Sequence, residues 1–353
     1  MSDVTLPTYN PKDFATDQDV RWCPGCGDYA VLMAMRRTVA SLGIKRENIV
    51  FVSGIGCAAR FPYYMNTYGA HTLHGRAPVF ATGVKLTNPE LVVFVVSGDG
   101  DLLSIGGNHT IHAMRRNIDI NIILLNNKIY GLTKGQYSPT SEVGKVTKST
   151  PHGSLDAPMN PLAIAIASGC TFIARTIDVD VKSMTDLFDK GARHRGTSFI
   201  EVYQDCNVFN HETWFYATQK DQRVENTISL EHGKPLIFGK DRDKGIRRCV
   251  DPTNGQKQSK SGDRQGSIEV VAINGEVTEE DLIVHDETNV EQAFLLSQLF
   301  HPEFPEPMGV FYVNESQPTY NDMMLDQVNH VVELHGEVDL QSLITGSNTW
   351  VIE

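Results

Sequence analysis

Two stretches of this sequence carry groups suited to a charged cofactor. Gly98-Asp99-Gly100 ends the apolar run at 91–97 (LVVFVVS), and Asn126-Asn127 ends the next such run at 120–125 (INIILL). Glycines on both sides of a carboxylate let the backbone turn sharply and approach a ligand closely. Asp99 offers a hard oxygen suited to magnesium, and the amide oxygen of Asn127 could complete a site whose metal bridges protein to diphosphate. A helix starting after Gly100 would direct its N-terminal N–H groups at the same anion. A lone Gly-Asp-Gly is usually only a tight turn. Pairing with Asn-Asn at the end of the next apolar run reverses that reading, and 128–132 (KIYGL) would continue the loop around the site.

The six cysteines form a second set. A disulfide framework is not expected of a chain in a reducing compartment. Cys170 sits in an Ala-rich apolar stretch and reads as a small buried hydrophobe, and Cys249, after Arg247 and Arg248, is assigned nothing. Cys23-Pro24-Gly25-Cys26 puts two thiols in a tight turn, Cys57 follows Gly54-Ile55-Gly56, and Cys206 follows another strand end. Four thiolates suit either zinc or a 4Fe–4S cluster. One CxxC pair with two widely separated single cysteines is unlike the paired knuckles of most structural zinc sites.

These groups need strands to carry them. Runs at 48–53, 91–97, 120–125 and 198–203 are apolar throughout rather than alternating, which points to a parallel sheet covered by helices on both faces. The segment 103–116 suits a crossover helix, 28–42 and 161–167 read as helices, and Pro161 suits a first turn. After about Phe215 the texture changes. Residues 251–266 are polar and look like a long exposed loop, 267–273 read as a strand, and 289–299 as a helix. The expected organisation is an N-terminal arm (1–21), an α/β domain (22–215) and a C-terminal extension (216–353) packed on the domain and on a partner.

Composition sets bounds. A net charge of -12 argues against a nucleic-acid surface. Hydrophobic residues at 41% and charged residues at 21% are those of a soluble globular chain. The N-terminal stretch lacks a basic start and an apolar run, and no apolar stretch is long enough to span a membrane. A cytoplasmic chain is the expectation.

The Gly-Asp-Gly and Asn-Asn pairing resembles the thiamine-diphosphate signature. That implies metal ligation by the Asp99 carboxylate, the Asn127 side chain and the main-chain carbonyl of Ile129. WCPGCG, GIGC, LHGRA, GDGD, NNKIYGLTKGQ and YQDC, in this order over 21–210, resemble the β subunit of 2-oxoacid:ferredoxin oxidoreductases. The resemblance implies a thiamine-diphosphate-binding fold of the diphosphate-domain type, and one 4Fe–4S cluster on Cys23, Cys26, Cys57 and Cys206. It implies cofactor contacts from Ile55, Gly56, Cys57, Ala58, His74, Gly75, Gly98, Asp99, Gly100, Asp101, Asn127, Ile129, Tyr130, Gly131 and Leu132. The family's last cysteine often follows proline, whereas Asp205 precedes Cys206, and Ala58 and Ala59 stand where hydroxyls are common. Both departures would alter hydrogen bonding near the cluster without removing a ligand.

His74, Arg76 and Lys134 are the candidate catalytic residues. His74-Gly75-Arg76 would lie near cofactor and substrate by resemblance, against the plainer reading of an ordinary loop histidine. The stretch holding Lys134 is similar to that of enzymes for 2-oxoglutarate or for a broad range of 2-oxoacids, and a lysine could pair with a substrate carboxylate; a solvated lysine is the alternative. The implied reaction is reversible oxidative decarboxylation of 2-oxoglutarate with coenzyme A to succinyl-CoA and CO2. Electrons would leave through the cluster to ferredoxin, and the reverse reaction would fix CO2 as in a reductive TCA cycle. Pyruvate or a broad range of 2-oxoacids is the alternative substrate, and a cluster-bearing electron-transfer subunit the non-catalytic one. The glutamate that activates the thiamine ring belongs, in this family, to the α subunit, so the chain is expected to work only with that partner, in an α2β2 heterotetramer.

Overall fold

The computed structural model describes residues 7–249, 268–347, 349 and 350. The loop expected at 251–266 and the first six residues of the N-terminal arm lie outside them. The strands expected from uninterrupted apolar runs are present as β1 (Ile49–Ser53), β3 (Val92–Gly98), β4 (Asn121–Asn126) and β6 (Ser198–Tyr203), every residue of β1, β4 and β6 being buried. They belong to one eight-stranded sheet with β2 (Tyr68–His71), β5 (Phe172–Ile177), β7 (Thr227–Leu230) and β11 (Glu306–Val313), in the order β2-β1-β3-β4-β6-β5-β11-β7. The strands from β2 to β5 pair in parallel, β11 pairs antiparallel to β5, and β7 runs parallel to β11. The sheet's β7 edge is therefore completed by residues beyond 215. A small antiparallel sheet, β8 (Ile237–Phe238), β9 (Lys244–Arg248) and β10 (Ile268–Ala272), stands apart from it.

Both faces of the sheet are covered, as continuous apolar strands require. On one face α1 (Asp28–Ser41) and a later helix, α5, bury Val31, Met35, Met184 and Phe188 against Phe51 and Phe94, whose rings stack with centroids 5.0 Å apart. On the other, α2 (Ala77–Thr87), α3 (Gly107–Arg115) and α4 (Pro161–Ala167) press Ala81, Met114 and Leu162 onto Val95, Ile122 and Phe199. Asp180 caps α5 (Val181–Arg193) by accepting from the Ser183 N–H. Short helices α6 (Phe215–Thr218) and α7 (Lys220–Asn226) lead to β7, and α8 (Val290–Ser297) adds Ala293 and Leu296 to the second layer. The last helices, α9 (Tyr320–His335) and α10 (Leu340–Thr345), bury only Asn321 between them.

The crossover helix begins later than its sequence indicates. Asp101–Ile105 forms a π-helical turn broken at Ser104 (ψ -105°), and α3 starts only at Gly107. Such turns often mark functional sites. The edge strand β2 escapes a pattern search because its four residues are largely exposed, and β5 because Arg175 interrupts its apolar run.

Candidate active site

A cleft of about 80 Å³ opens at the carboxyl ends of β1, β3 and β4, the edge at which open α/β sheets bind ligands. Its walls are the three loops that follow those strands. Ile55, Gly56, Cys57 and Ala58 come from the first, Gly98, Asp99, Gly100 and Asp101 from the second, and Asn127, Ile129, Tyr130, Gly131 and Leu132 from the third; His74 also faces in. Gly75 does not line the cleft; it lies behind it, against the backbone of Gly106. Asp28, Leu125, Thr133 and Gln204 line the cleft as well and were missed from sequence. Asp28 and Gln204 each stand two positions from a cluster-candidate cysteine, a signal of proximity that could have found them.

Asp99 is buried, and burial pushes its carboxyl up to about 6, against hydrogen bonds from Ser138, Thr140 and the Gly100 N–H. Both hydroxyls sit 2.5 Å from Oδ2. A carboxylate so short of water suits a cation, which would replace the lost solvation. Asn127 is equally constrained. Its Oδ1 accepts from the Ile129 N–H at 3.2 Å, its Nδ2 donates to Gln204 Oε1 at 2.8 Å, and Lys128 between them takes a positive φ of 55°. This turn holds the Asn127 side chain and Ile129 on one side of the cleft facing Asp99. At Gly100 only glycine fits, since a Cβ would lie 2.3 Å from the Tyr130 ring, whose hydroxyl donates to the Gly100 carbonyl at 2.8 Å.

Asp101 organises the next layer. It accepts from the Gly75 N–H and from Ser97 Oγ, each at 2.7 Å, and its Oδ1 lies 2.7 Å from His74 Nδ1. That last contact is off the hydrogen-bond axis and leaves Nδ1 without a directed partner. His74 is thus held at the cleft mouth, edge-on to Tyr130. Arg76 lies outside the cleft and its Nη1 donates to the His74 carbonyl at 3.1 Å. Lys134 is exposed on the loop at 131–136, with a φ of 76°, and does not line the cleft.

The four cysteines lie on loops beside the cleft, each close enough to feel the charge of at least one other. The Sγ atoms of Cys206 and Cys57 lie 3.4 and 3.8 Å from where a Gly131 Cβ would stand. Cys26 senses the charges of Cys206 and Cys57, and Cys57 those of Cys206 and Cys23. Burial raises the Cys26 thiol well above the usual range, pushes that of Cys57 up to about 12, and raises that of Cys206. The segment is pinned from several sides: Trp22 Nε1 donates to the Cys57 carbonyl at 2.8 Å, Asn207 Nδ2 to the Pro24 carbonyl at 2.6 Å, and the Gly27 N–H to the Asp205 carbonyl at 3.2 Å. Cys170 is apart from this group, its thiol donating to the Thr197 carbonyl at 3.1 Å within the core. Among the described residues, no three His, Cys, Asp or Glu side chains are drawn together so as to hold one metal ion, and no helix is long and apolar enough to cross a membrane.

Residues 54–202 match the family model of the thiamine pyrophosphate enzyme C-terminal TPP-binding domain. The chain is 47% identical to 2-oxoglutarate oxidoreductase subunit KorB of Mycobacterium tuberculosis, over 97% of this chain and 88% of that relative. It is 43% identical to 2-oxoglutarate synthase subunit KorB of Methanocaldococcus jannaschii, over 61% of this chain and 81% of that one. Among solved structures, 2-oxoglutarate:ferredoxin oxidoreductase from Magnetococcus marinus, with 2-oxoglutarate, coenzyme A and succinyl-CoA bound, superposes with a TM-score of 0.75 at 29% identity, covering 98% of both chains. The matching family model and the 47% identity to a KorB subunit over 97% of the chain agree: the chain belongs to the β-subunit family of the 2-oxoacid:ferredoxin oxidoreductases.

Proposed function

We propose that this chain is the β subunit of a 2-oxoglutarate:ferredoxin oxidoreductase. With an α subunit it would catalyse the reversible oxidative decarboxylation of 2-oxoglutarate with coenzyme A to succinyl-CoA and CO2. The observation that carries the reading is that Asp99, Asn127 and the Cys57 thiol line one cleft, joining a diphosphate-metal end to a candidate electron exit. Preference for 2-oxoglutarate draws support from the names of the Mycobacterium and Methanocaldococcus relatives and from the ligands of the Magnetococcus enzyme.

Magnesium would be held by the Asp99 carboxylate, Asn127 Oδ1 and the Ile129 carbonyl, and a 4Fe–4S cluster by Cys23, Cys26, Cys57 and Cys206. Thiamine diphosphate supplies an electron sink at the carbon that loses CO2. The chain's own residues anchor its diphosphate, keep water from Asp99, and hold thiols within reach of the same cleft. His74, braced by Asp101, is assigned to the reacting end of the 2-oxoacid. Arg76 and Lys134 are assigned to the rim, where an α subunit would close over the cleft and contribute the ring-activating glutamate. Ferredoxin is the electron acceptor, the assembly α2β2, and the compartment the cytoplasm.

The test is co-purification with the α subunit, iron and thiamine analysis, and viologen reduction with several 2-oxoacids and coenzyme A. Expected are iron with broad visible absorbance, bound thiamine diphosphate, and a preference for 2-oxoglutarate. Stoichiometric zinc without iron would end the cluster assignment, a preference for pyruvate the substrate assignment, and turnover by the isolated chain the half-site assignment.

A further inference from the structure

One buried side chain touches both candidate centres. Gln204 is 1% exposed, and its amide is fully engaged. Oε1 accepts from Asn127 Nδ2 at 2.8 Å, while Nε2 donates to Cys26 Sγ at 3.2 Å and to the Asp205 carbonyl at 2.6 Å. The chemistry fixes the amide's orientation: reversed, it would face its oxygen to a sulfur and a carbonyl, and its NH2 to that of Asn127. Backbone bonds hold the residue, since its N–H donates to the Asn126 carbonyl at 3.0 Å.

We infer that Gln204 is a positioning residue that couples the two centres, orienting Asn127 toward the diphosphate metal and setting the potential of the cluster through Cys26. The inference rests on the metal and cluster assignments proposed above. Its two arms have separate physical causes. Fixing Nδ2 of Asn127 leaves Oδ1 as the atom turned to a cation, and outer-shell partners of this kind govern metal affinity. An N–H aimed at a cluster thiolate stabilises the reduced, more negative cluster and so raises its potential. Gln204 also lines the cleft itself, together with Asn127 and Cys57.

Two near-isosteric variants of the assembled α–β complex test this. Gln204→Met removes both contacts, whereas Gln204→Glu keeps an acceptor for Asn127 but turns a carboxylate oxygen to Cys26. The expected result is wild-type iron content in both variants and a cluster midpoint potential shifted negative in both, read by redox titration. The dissociation constant for Mg2+, read by fluorescence with thiamine diphosphate present, should rise about tenfold or more in Gln204→Met. An unmoved potential in both variants, or unchanged Mg2+ affinity in Gln204→Met, overturns the inference. Failure of both variants to assemble or to retain iron also overturns it, leaving Gln204 a purely structural residue. A wild-type complex lacking iron or thiamine diphosphate would instead sink the function proposed above, so the two failures are distinguishable.

Discussion

Removing the charge of Glu201 should destabilise the chain while leaving the diphosphate end of the cleft intact. Glu201 Oε2 pairs with Arg175 Nε at 2.8 Å, both side chains are 1% exposed, and Glu201 Oε1 accepts from Asn126 Nδ2 at 2.7 Å. Breaking one half of a buried pair costs about 3–5 kcal/mol, because the surviving ion is stranded. The Arg175 guanidinium also feels the charge of Glu306, and Tyr203 and Phe311 lie beside it, at 4.9 and 5.5 Å, so the lower end, about 3 kcal/mol, is expected. With roughly 2.1 cal/mol/K of unfolding entropy per residue, that lowers the melting temperature by about 4 °C. Glu201→Gln can keep an oxygen on Asn126, so Mg2+ affinity should hold; Glu201→Leu should lose stability and weaken Mg2+ together. The double variant Arg175→Met/Glu201→Leu should be more stable than Glu201→Leu, since the guanidinium is no longer left without its ion partner. Urea unfolding followed by tryptophan fluorescence reads all three. A Glu201→Gln loss below about 1 kcal/mol, or a double variant less stable than Glu201→Leu, refutes the reasoning.

Cys57→Ser and Cys206→Ser should each lower the iron content of the complex, whereas Cys170→Ala, which alters only the core, should retain it; equal iron in all three contradicts the ligand set. Gly100→Ala should cost about 1–3 kcal/mol by forcing the Tyr130 ring aside and should weaken thiamine diphosphate binding. Tyr130→Phe should cost only about 1 kcal/mol through the lost bond to Gly100, both read by calorimetry. Burial lowers the His285 pKa from 6.5, so the unfolded chain binds the proton more readily. Its contribution to stability is complete above pH 6.5 and is lost as pH falls through the folded value. His285→Gln should flatten that acid limb in a series of melting curves, and an unchanged slope counts against the assignment.

Much of the site was legible because its chemistry sits at the ends of apolar strands. The runs ending at Ser97 and Leu125 mark β3 and β4, and the parallel register pairs Gly98 with Leu125, so Asp99 and the Asn126-Asn127 pair emerge at the same edge. The cysteines were readable for the same reason, three of them following strand ends or sharp turns. What stayed hidden depends on long-range packing. Ser138 and Thr140, which support Asp99, lie in a loop at 137–159 with no periodic apolar pattern, and nothing local marks their hydroxyls as partners of a residue some forty positions earlier. β11 lies in a stretch that reads as mixed and polar, and only its pairing with β5 shows that it completes the sheet. Gln204 looked like an ordinary residue before a cysteine, since its partners come from two other loops.

The late strand has a consequence for the site. Arg175 on β5 is enclosed by Phe311 of β11, and it holds Glu201, which holds Asn126. Thr140 then lies 3.0 Å from Asn126 Oδ1 and donates to Asp99. A continuous set of buried polar contacts therefore runs from Arg175 on β5 to the carboxylate proposed to bind metal. Each link is costly to break because its neighbours have no water to turn to. The Asp99 end of the cleft is thus held rigid from within the sheet, with Phe311 from the late part of the chain packed against Arg175. The rim is braced more lightly: Leu132 and Lys134 are exposed, and the His74 ring rests against Asp101 and Tyr130 at the cleft mouth. A rigid floor beneath a lightly braced rim suits the proposed half-site, because the anchored end must be in register before a second subunit closes over the other.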